Sequence, residues 1–137
     1  MINCVGSKES RRVVHLIDHM GLGGAQRLIQ GLVLKGYGDE IFALRSKGKL
    51  IGKIPAKVEI RIGNLFSLVS LITLIRIHKK IQESKTDYVH CHLLFSFIVG
   101  IILSYFNSSV KFIFHEHGGL ADGNWLTRQI LKLASTR

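Results

Sequence analysis

Short apolar runs alternate along this chain with longer segments in which apolar residues recur every three or four positions. The short runs are rich in Val, Ile, Leu and Phe and end in polar residues or glycine, which is typical of buried strands. The longer segments have the spacing of amphipathic helices. The pattern predicts strands at about 13–19, 40–44, 58–62, 88–92 and 111–115, and helices at about 24–35, 65–83, 95–106 and from 125 towards 137.

The order of these segments predicts the fold class. Strands that alternate with helices of this length form parallel βαβ units, so we expect an α/β protein with a Rossmann-like, open, mostly parallel sheet and helices on both faces. The 137 residues have the length of one domain. We assign residues 1–12 to a basic lead-in and residues 13–137 to this domain. Gly36 is expected to end the first helix in a left-handed conformation, and Asn64 to cap the second.

The most informative stretch is the turn after the first predicted strand, where Gly21, Gly23 and Gly24 lead into a helix. Glycine lets backbone N–H groups approach a ligand closely, and a helix N-terminus presents unpaired donors with a partial positive charge. The turn therefore predicts a site for a phosphate or another anion. A dinucleotide fingerprint would need glycine in place of Gln26 and an acidic residue in place of Arg45, and a Walker loop would need Gly-Lys-Ser/Thr, so neither is predicted. A tight turn that binds nothing remains the alternative.

Polar residues follow three of the predicted strands. Ligands of open α/β sheets bind beyond the carboxyl ends of the strands, so residues that follow different strands are expected to meet there. These residues are Asp18, His19, His90, His92, His115, Glu116 and His117. Together with the glycine turn, they predict a polar site at one edge of the sheet.

Two short sequences, His90-Cys91-His92 and His115-Glu116-His117, each place two imidazoles on one side of the chain. Zinc uses sets of this kind. Neither a separate carboxylate ligand nor a Cys-x-x-Cys spacing accompanies them, so we interpret the histidines as hydrogen-bonding side chains and predict no metal site. Cys91 is expected to be a small core residue.

The formal net charge of +10 predicts an anionic partner, such as phosphates or anionic lipid. A basic segment at 45–57 holds five Lys and Arg residues and no acidic one. The aromatic residues lie mostly within apolar runs, so nucleic acid is not predicted as a partner. The N-terminus lacks the apolar stretch of a signal peptide, no apolar run reaches a membrane-spanning length, and the two cysteines form no disulfide framework. We therefore expect a cytoplasmic protein, and its charge fits peripheral contact with the inner face of the membrane.

Three segments of the chain resemble, in order and spacing, the N-terminal domain of the family-four GT-B retaining glycosyltransferases. They are the strand and turn at 13–26, the strand Asp87-Tyr88-Val89-His90-Cys91-His92, and the strand end Phe114-His115-Glu116-His117-Gly118. The corresponding family patterns are a Gly-Gly-Ala-Glu-Arg-like turn, an Asp-Val-Val-His-x-His strand and a Thr-Glu-His-Gly-like strand end. The resemblance covers nearly the whole chain.

The resemblance implies a domain facing a cleft, where a sugar passes from a nucleotide donor to an acceptor with retention of configuration and without a metal or other cofactor. Gly21, Gly23 and Gly24 would contact the donor diphosphate and sugar, and His117 matches the catalytic position that contacts the transferred sugar. The acceptor would be a glycan or a lipid-linked molecule. Residues that match positions in the cleft are Asp18, Gln26, Arg27, His92, Glu116 and Gly118.

Two features depart from the family pattern. Gln26 replaces the usual Glu of the turn, and the Glu-x7-Glu pair of the family's C-terminal, nucleotide-binding domain does not occur in these residues. We therefore expect an acceptor-side half of an enzyme, incomplete at its C-terminus and inactive alone. The alternatives are a non-catalytic module that binds phosphate or a membrane surface, and a metal-dependent hydrolase built on the two His-x-His pairs.

Overall fold

The computed structural model describes residues 11–46, 48–49, 51–55, 59–62, 69–117 and 125–135. Strands and helices alternate along this part of the chain, as the sequence predicts. The elements are β1 (Val13–His19), α1 (Gly24–Leu34), β2 (Glu40–Ser46), a short 3-10 helix (Ile51–Lys53), β3 (Glu59–Ile62), α2 (Val69–Glu83), β4 (Tyr88–His92), α3 (Leu94–Phe106), β5 (Lys111–His115) and α4 (Trp125–Ser135). The expected cap Asn64 lies outside the described residues.

The five strands form one parallel sheet in the order β3-β2-β1-β4-β5. This confirms the predicted α/β class with an open, Rossmann-like sheet. The chain runs outward from β1 to β2 and β3, and then returns to β4 on the other side of β1. The strand order therefore reverses between β1 and β4, and the carboxyl edge at such a switch point is where open α/β sheets bind ligands.

Helices cover both faces of the sheet, because each face carries its own apolar core. On one face, α1 packs Ala25, Ile29 and Val33 against Ile17 of β1 and Ile41 of β2. On the other face, α2, α3 and α4 enclose a core that includes Ile77, Ile81, Phe97, Leu103, Ile130, Leu16 and Val89. Burial of these side chains is the main source of stability in a fold of this kind.

The end of α1 shows why the chain turns sharply there. Gly36 has a φ of +83°, which confirms the left-handed conformation expected of it. The amide of Gly36 donates to the carbonyl oxygen of Val33, and the amide of Tyr37 donates to that of Leu32. These bonds satisfy carbonyl groups that the end of a helix otherwise leaves unpaired.

The third helix, α3, is the most apolar one and packs closely on β4. A Cβ added at Gly100 would lie 2.4 Å from the Sγ atom of Cys91, so only glycine fits at this contact. Cys91 is fully buried and unpaired, which confirms that it is a core residue. Burial raises the pKa of the Cys91 thiol above its usual range.

Within the described part of the chain, no helix combines the length and apolar character needed to cross a bilayer.

Candidate functional site

The carboxyl ends of β1, β4 and β5 lie side by side at one edge of the sheet. The register pairs Ile17 with His92, and His92 with His115. Side chains at these paired positions point to the same face, because successive residues of a strand alternate between faces. The sheet thus brings together polar residues that come from distant parts of the sequence.

Five histidines form what we call the imidazole cluster: His15, His90, His92, His115 and His117. His15 pairs with His90 across β1 and β4. The ring centroids of His90 and His92 are 4.0 Å apart, and those of His115 and His117 are 4.3 Å apart with the rings nearly parallel. The two sequence motifs therefore meet, and β1 adds a fifth imidazole to them.

A chain of hydrogen bonds runs through three of these rings and assigns their protons. His15 Nε2 lies 2.8 Å from the carbonyl oxygen of Tyr37, which can only accept, so this nitrogen carries a proton. His15 Nδ1 then accepts from His92 Nε2 over 3.2 Å, and His92 Nδ1 accepts from His117 Nε2 over 3.0 Å. In their neutral forms these rings leave a lone pair on Nδ1 of His117.

Burial favours the neutral form of four of these histidines, His15, His90, His92 and His117. Desolvation lowers the pKa of His90 to about 4, with repulsion from His15, His115 and His117 adding to the effect. Desolvation also lowers the pKa of His15, against the raising effect of its bond to Tyr37, and lowers that of His92 strongly. The pKa of His117 is lowered by partial burial and by His115. At neutral pH these four side chains are therefore neutral imidazoles, each of which can both donate and accept a hydrogen bond.

Sequence reasoning missed His15 as a member of the site. It follows no motif, since it lies in the middle of an apolar strand, and it reaches His92 only through the pairing of β1 with β4. Its side chain is 1% exposed, and its apolar neighbours along the strand give no sign of a polar site. One feature of the sequence could have identified it. His15 alternates along β1 with buried residues of the opposite face, as His90 does along β4.

The glycine turn leads into α1 in the way that the sequence predicts. Gly23 is extended, no side chain caps the helix, and its first turn contains no acidic residue. The amide of Arg27 makes the first helical bond, to the carbonyl oxygen of Gly23. The amides of Gly24 and the next two residues are therefore those that a helix start leaves without helical partners. The amide of Gly21 is engaged differently, since it donates to His19 Nδ1.

The next two predicted cleft residues point in different directions. Gln26 is buried and donates from Nε2 to the carbonyl oxygen of His19 over 3.2 Å, so it holds the start of α1 against the end of β1. Its Oε1 atom lies against Gly23, where an added Cβ would meet it at 2.3 Å. Arg27 is exposed to solvent. Gln26 therefore shapes the turn, while Arg27 contributes charge to its surface.

Asp18 is a structural partner of α3. Its Oδ1 atom accepts a hydrogen bond of 3.0 Å from the backbone amide of Ser96 in the first turn of that helix. Partial burial raises the pKa of Asp18, against the opposing effects of the Ser96 amide, Arg45 and His19. The residue before α3, Leu93, has a φ of +75°, a strained conformation for a branched side chain. Asp18 therefore stabilises a strained strand-to-helix turn next to the imidazole cluster.

We expect Asp18→Ala to lower the free energy of unfolding by about 1 kcal/mol, because the variant removes the side-chain acceptor at the start of α3. Asp18→Asn is the matched control, since its amide oxygen can accept the same bond without the charge. Urea unfolding of the two variants measures the difference. If Asp18→Asn lowers the free energy of unfolding as much as Asp18→Ala does, the negative charge of Asp18, and not its hydrogen bond, stabilises this turn.

Basic side chains surround this edge of the sheet. The guanidinium of Arg45, at the end of β2, lies 4.7 Å from the ring centroid of Phe95 in α3 and so extends over the switch point. Lys49 and Lys53 of the following segment are exposed, as is Arg27. The carboxyl edge is therefore cationic near the glycine turn.

Two predicted site residues remain, Glu116 and Gly118. Glu116 is half-buried directly after β5, while Gly118 lies outside the described residues.

The described residues also line a cavity of about 300 Å³ at the opposite, amino-terminal edge of the sheet, between Arg12, Asp39 and Ser84. None of the predicted site residues contributes to that cavity, and the switch point faces away from it. We therefore place the candidate site at the carboxyl edge.

The fold and this edge define a parallel α/β protein with a cationic glycine turn and a cluster of imidazoles at the switch point of its sheet. No protein-family model matches the chain, and no curated protein has significant sequence similarity to it.

Proposed function

We propose that this chain is the acceptor-side half of a retaining glycosyltransferase of the GT-B type. The enzyme would move a sugar from a nucleotide donor to a glycan or a lipid-linked acceptor. Support comes from the order and spacing of three motifs that resemble this family, and from a sheet whose topology fits a Rossmann-like domain. The donor nucleotide would bind mainly to a second domain facing this carboxyl edge.

One observation carries the proposal: the start of α1 and His117 occupy the same edge of the sheet, on either side of the switch point. β4 separates β1 from β5, and neighbouring strands lie about 4.8 Å apart, so the two groups follow strands about 10 Å apart. This separation is comparable to the length of a sugar attached to a diphosphate. A nucleotide sugar can therefore contact the helix start with its phosphates and His117 with its sugar.

The chemistry of each group suits its part of the donor. The amides at the start of α1, with Arg27 and Arg45 nearby, stabilise the negative charge that develops on the leaving diphosphate. His117 is neutral, and its Nδ1 lone pair can accept a hydrogen bond from a sugar hydroxyl. The bond from His117 Nε2 to His92 fixes the ring so that this lone pair has a defined direction. We therefore assign His117 to sugar contact.

The charge of the chain suggests where the acceptor is found. The net charge is +10, and three basic side chains near the turn are exposed: Arg27, Lys49 and Lys53. This part of the protein is therefore expected to bind an anionic surface. A lipid-linked acceptor in an anionic membrane would be concentrated at such a surface. We propose peripheral contact with the cytoplasmic face of a membrane, with no nucleic acid involved.

The test compares transfer and hydrolysis of nucleotide sugars by this chain and by a version extended with its downstream coding sequence. Activity only in the extended version supports the half-enzyme proposal. Absence of transfer in both, together with phosphate binding by this chain, would instead support the non-catalytic phosphate-binding module.

In an active extended version, we expect His117→Ala to lower kcat/KM by about 100-fold, because it removes a contact to the sugar in the transition state. His78→Ala is the control, since His78 lies on α2 on the opposite face of the sheet and bonds to Asn107. Steady-state kinetics with a nucleotide sugar measures the ratio. Equal losses in the two variants would contradict a role of His117 in sugar contact.

A further inference from the structure

We propose that His15, His90 and His92 bind one Zn²⁺ ion beneath the carboxyl edge of the sheet. One ring nitrogen from each of the three residues lies within 4.8 Å of the other two. Two of the rings are fully buried, since His15 is 1% exposed and His92 is 0% exposed. Three imidazoles are a sufficient protein ligand set for zinc.

The spacing of the nitrogens fits coordination. Two nitrogens that bind a tetrahedral Zn²⁺ at about 2.0–2.1 Å lie about 3.3–3.4 Å apart. His15 Nδ1 and His92 Nε2 are 3.2 Å apart. The centroid of His15 lies 5.4 Å from those of both His90 and His92. Small ring movements therefore suffice to place the three nitrogens around one ion.

Two further observations point to a ligand at this position. The first is the bond from His15 Nε2 to the carbonyl oxygen of Tyr37, because a metal-binding histidine characteristically donates its other N–H to a carbonyl or carboxylate. The second is His90 Nε2, which is buried and has no hydrogen-bond partner among the described residues. A buried polar nitrogen without a partner costs free energy, and a metal ion would satisfy it.

A second set of three, His92, His115 and His117, also has nitrogens within 4.8 Å of one another. His115 and His117 are half-buried, and among the described residues neither ring bonds to a backbone carbonyl as His15 does to that of Tyr37. When the ion occupies the first set, His117 instead supports His92 from outside by hydrogen bonding to its other nitrogen. The first set is therefore the one we assign.

Zinc at this position would reverse the hydrogen bond between His92 and His117. Without metal, His92 Nε2 carries the proton and His92 Nδ1 accepts from His117. A metal on Nε2 moves the His92 proton to Nδ1, so that His92 donates and His117 Nε2 accepts. The His117 proton then resides on Nδ1, and the number of protons is unchanged. The ion would convert the free nitrogen of His117 from an acceptor into a donor.

The consequence for a bound ligand rests on the proposed function, but metal binding itself does not. With Nδ1 as a donor, His117 would favour a phosphate or sugar oxygen that only accepts. Metal binding is measured in the absence of any nucleotide sugar, so a failure of one proposal is distinguishable from a failure of the other.

The experiment starts from the full chain, treated with EDTA and then dialysed. We expect titration with Zn²⁺, followed by calorimetry, to give one ion per chain, and Co²⁺ to produce the visible absorption bands of tetrahedral coordination. Absence of stoichiometric binding, or of these bands, would overturn the proposal.

Three variants locate the ion. We expect His15→Gln and His90→Gln each to weaken Zn²⁺ binding by at least 100-fold, while His115→Gln retains it because His115 is not a ligand in the first set. His78→Gln controls for the loss of a histidine elsewhere. Retained binding in His90→Gln with lost binding in His115→Gln would place the ion in the second set and overturn the assignment.

A measurement on the unmodified protein covers the case in which a variant fails to fold. Long-range ¹H–¹⁵N NMR spectra distinguish the protonated nitrogen of each imidazole. We expect the proton of His117 to move from Nε2 to Nδ1 when Zn²⁺ is added. If Zn²⁺ leaves the tautomers of His92 and His117 unchanged, the ion does not bind His92 Nε2.

Discussion

Lowering the pH from 6.5 to 5 is expected to reduce the free energy of unfolding of the metal-free protein by about 4 kcal/mol. The pKa of His90 is lowered to about 4, and burial lowers the pKa of His15 and His92. Unfolding exposes these imidazoles, which then take up protons near pH 6.5, the ordinary histidine pKa. The unfolded state therefore binds more protons than the folded state, and stability is lost as the pH falls.

The size of this effect follows from the number of histidines involved. Each pH unit over which a histidine is protonated only in the unfolded state costs about 1.4 kcal/mol. His15 and His92 are fully buried and contribute most, whereas solvent screens part of the effect at the half-buried His90. A loss of about 4 kcal/mol is a large part of the 5–15 kcal/mol typical of a folded domain.

Urea unfolding in EDTA at several pH values between 7.5 and 5 measures this dependence. The slope of the unfolding free energy should correspond to about two to three protons between pH 6 and 5. His90→Gln should reduce that slope by up to one proton. A slope below half a proton in the unmodified protein would show that the buried imidazoles take up protons without unfolding.

Gly48→Ala is expected to destabilise the protein by about 2–5 kcal/mol. Gly48 has a φ of +65°, and a Cβ added there would lie 2.1 Å from the carbonyl carbon and oxygen of Met20 and 2.4 Å from the amide nitrogen of Gly21. Backbone atoms cannot move aside as the end of a flexible side chain can. The variant should therefore also displace the glycine turn, and anion binding at the start of α1 should weaken with stability.

Gly52→Ala is the matched control for this prediction. Gly52 belongs to the same basic segment, and nothing lies within 4 Å of a Cβ added there. Urea unfolding of both variants at pH 7.5 compares the two positions. Similar unfolding free energies for both variants would contradict the close packing of Gly48 against the turn.

The histidines that underlie the predicted pH dependence, His15, His90 and His92, are also the proposed zinc ligands. Keeping several buried imidazoles neutral is expected to lower the free energy of unfolding at acid pH. An ion that binds only the folded state would add its binding free energy to stability. Added Zn²⁺ is therefore expected to shift the acid unfolding of the protein to lower pH.

Local pattern was sufficient to predict the elements and the edge at which the candidate site lies. The bounds of β1, β4 and β5 agree with those read from the sequence, because each strand is a short, mainly apolar run that ends at a histidine. Parallel strands bring their carboxyl ends to one edge, so His92, His115 and His117 were expected to meet there. The roles assigned to them in sugar transfer remain predictions.

Long-range pairing determined the contacts that the sequence could not show. His15 meets His92 across 77 positions of sequence, and Asp18 meets the amide of Ser96 across 78. The clash that a side chain at Gly48 would make with Met20 is likewise set by how the basic segment folds back on the turn. By itself the sequence determined periodicity, strand ends and the turn, because these depend on neighbouring residues. Only the tertiary structure decided which imidazoles share protons and which side chains serve as caps, because both depend on register and distance between strands.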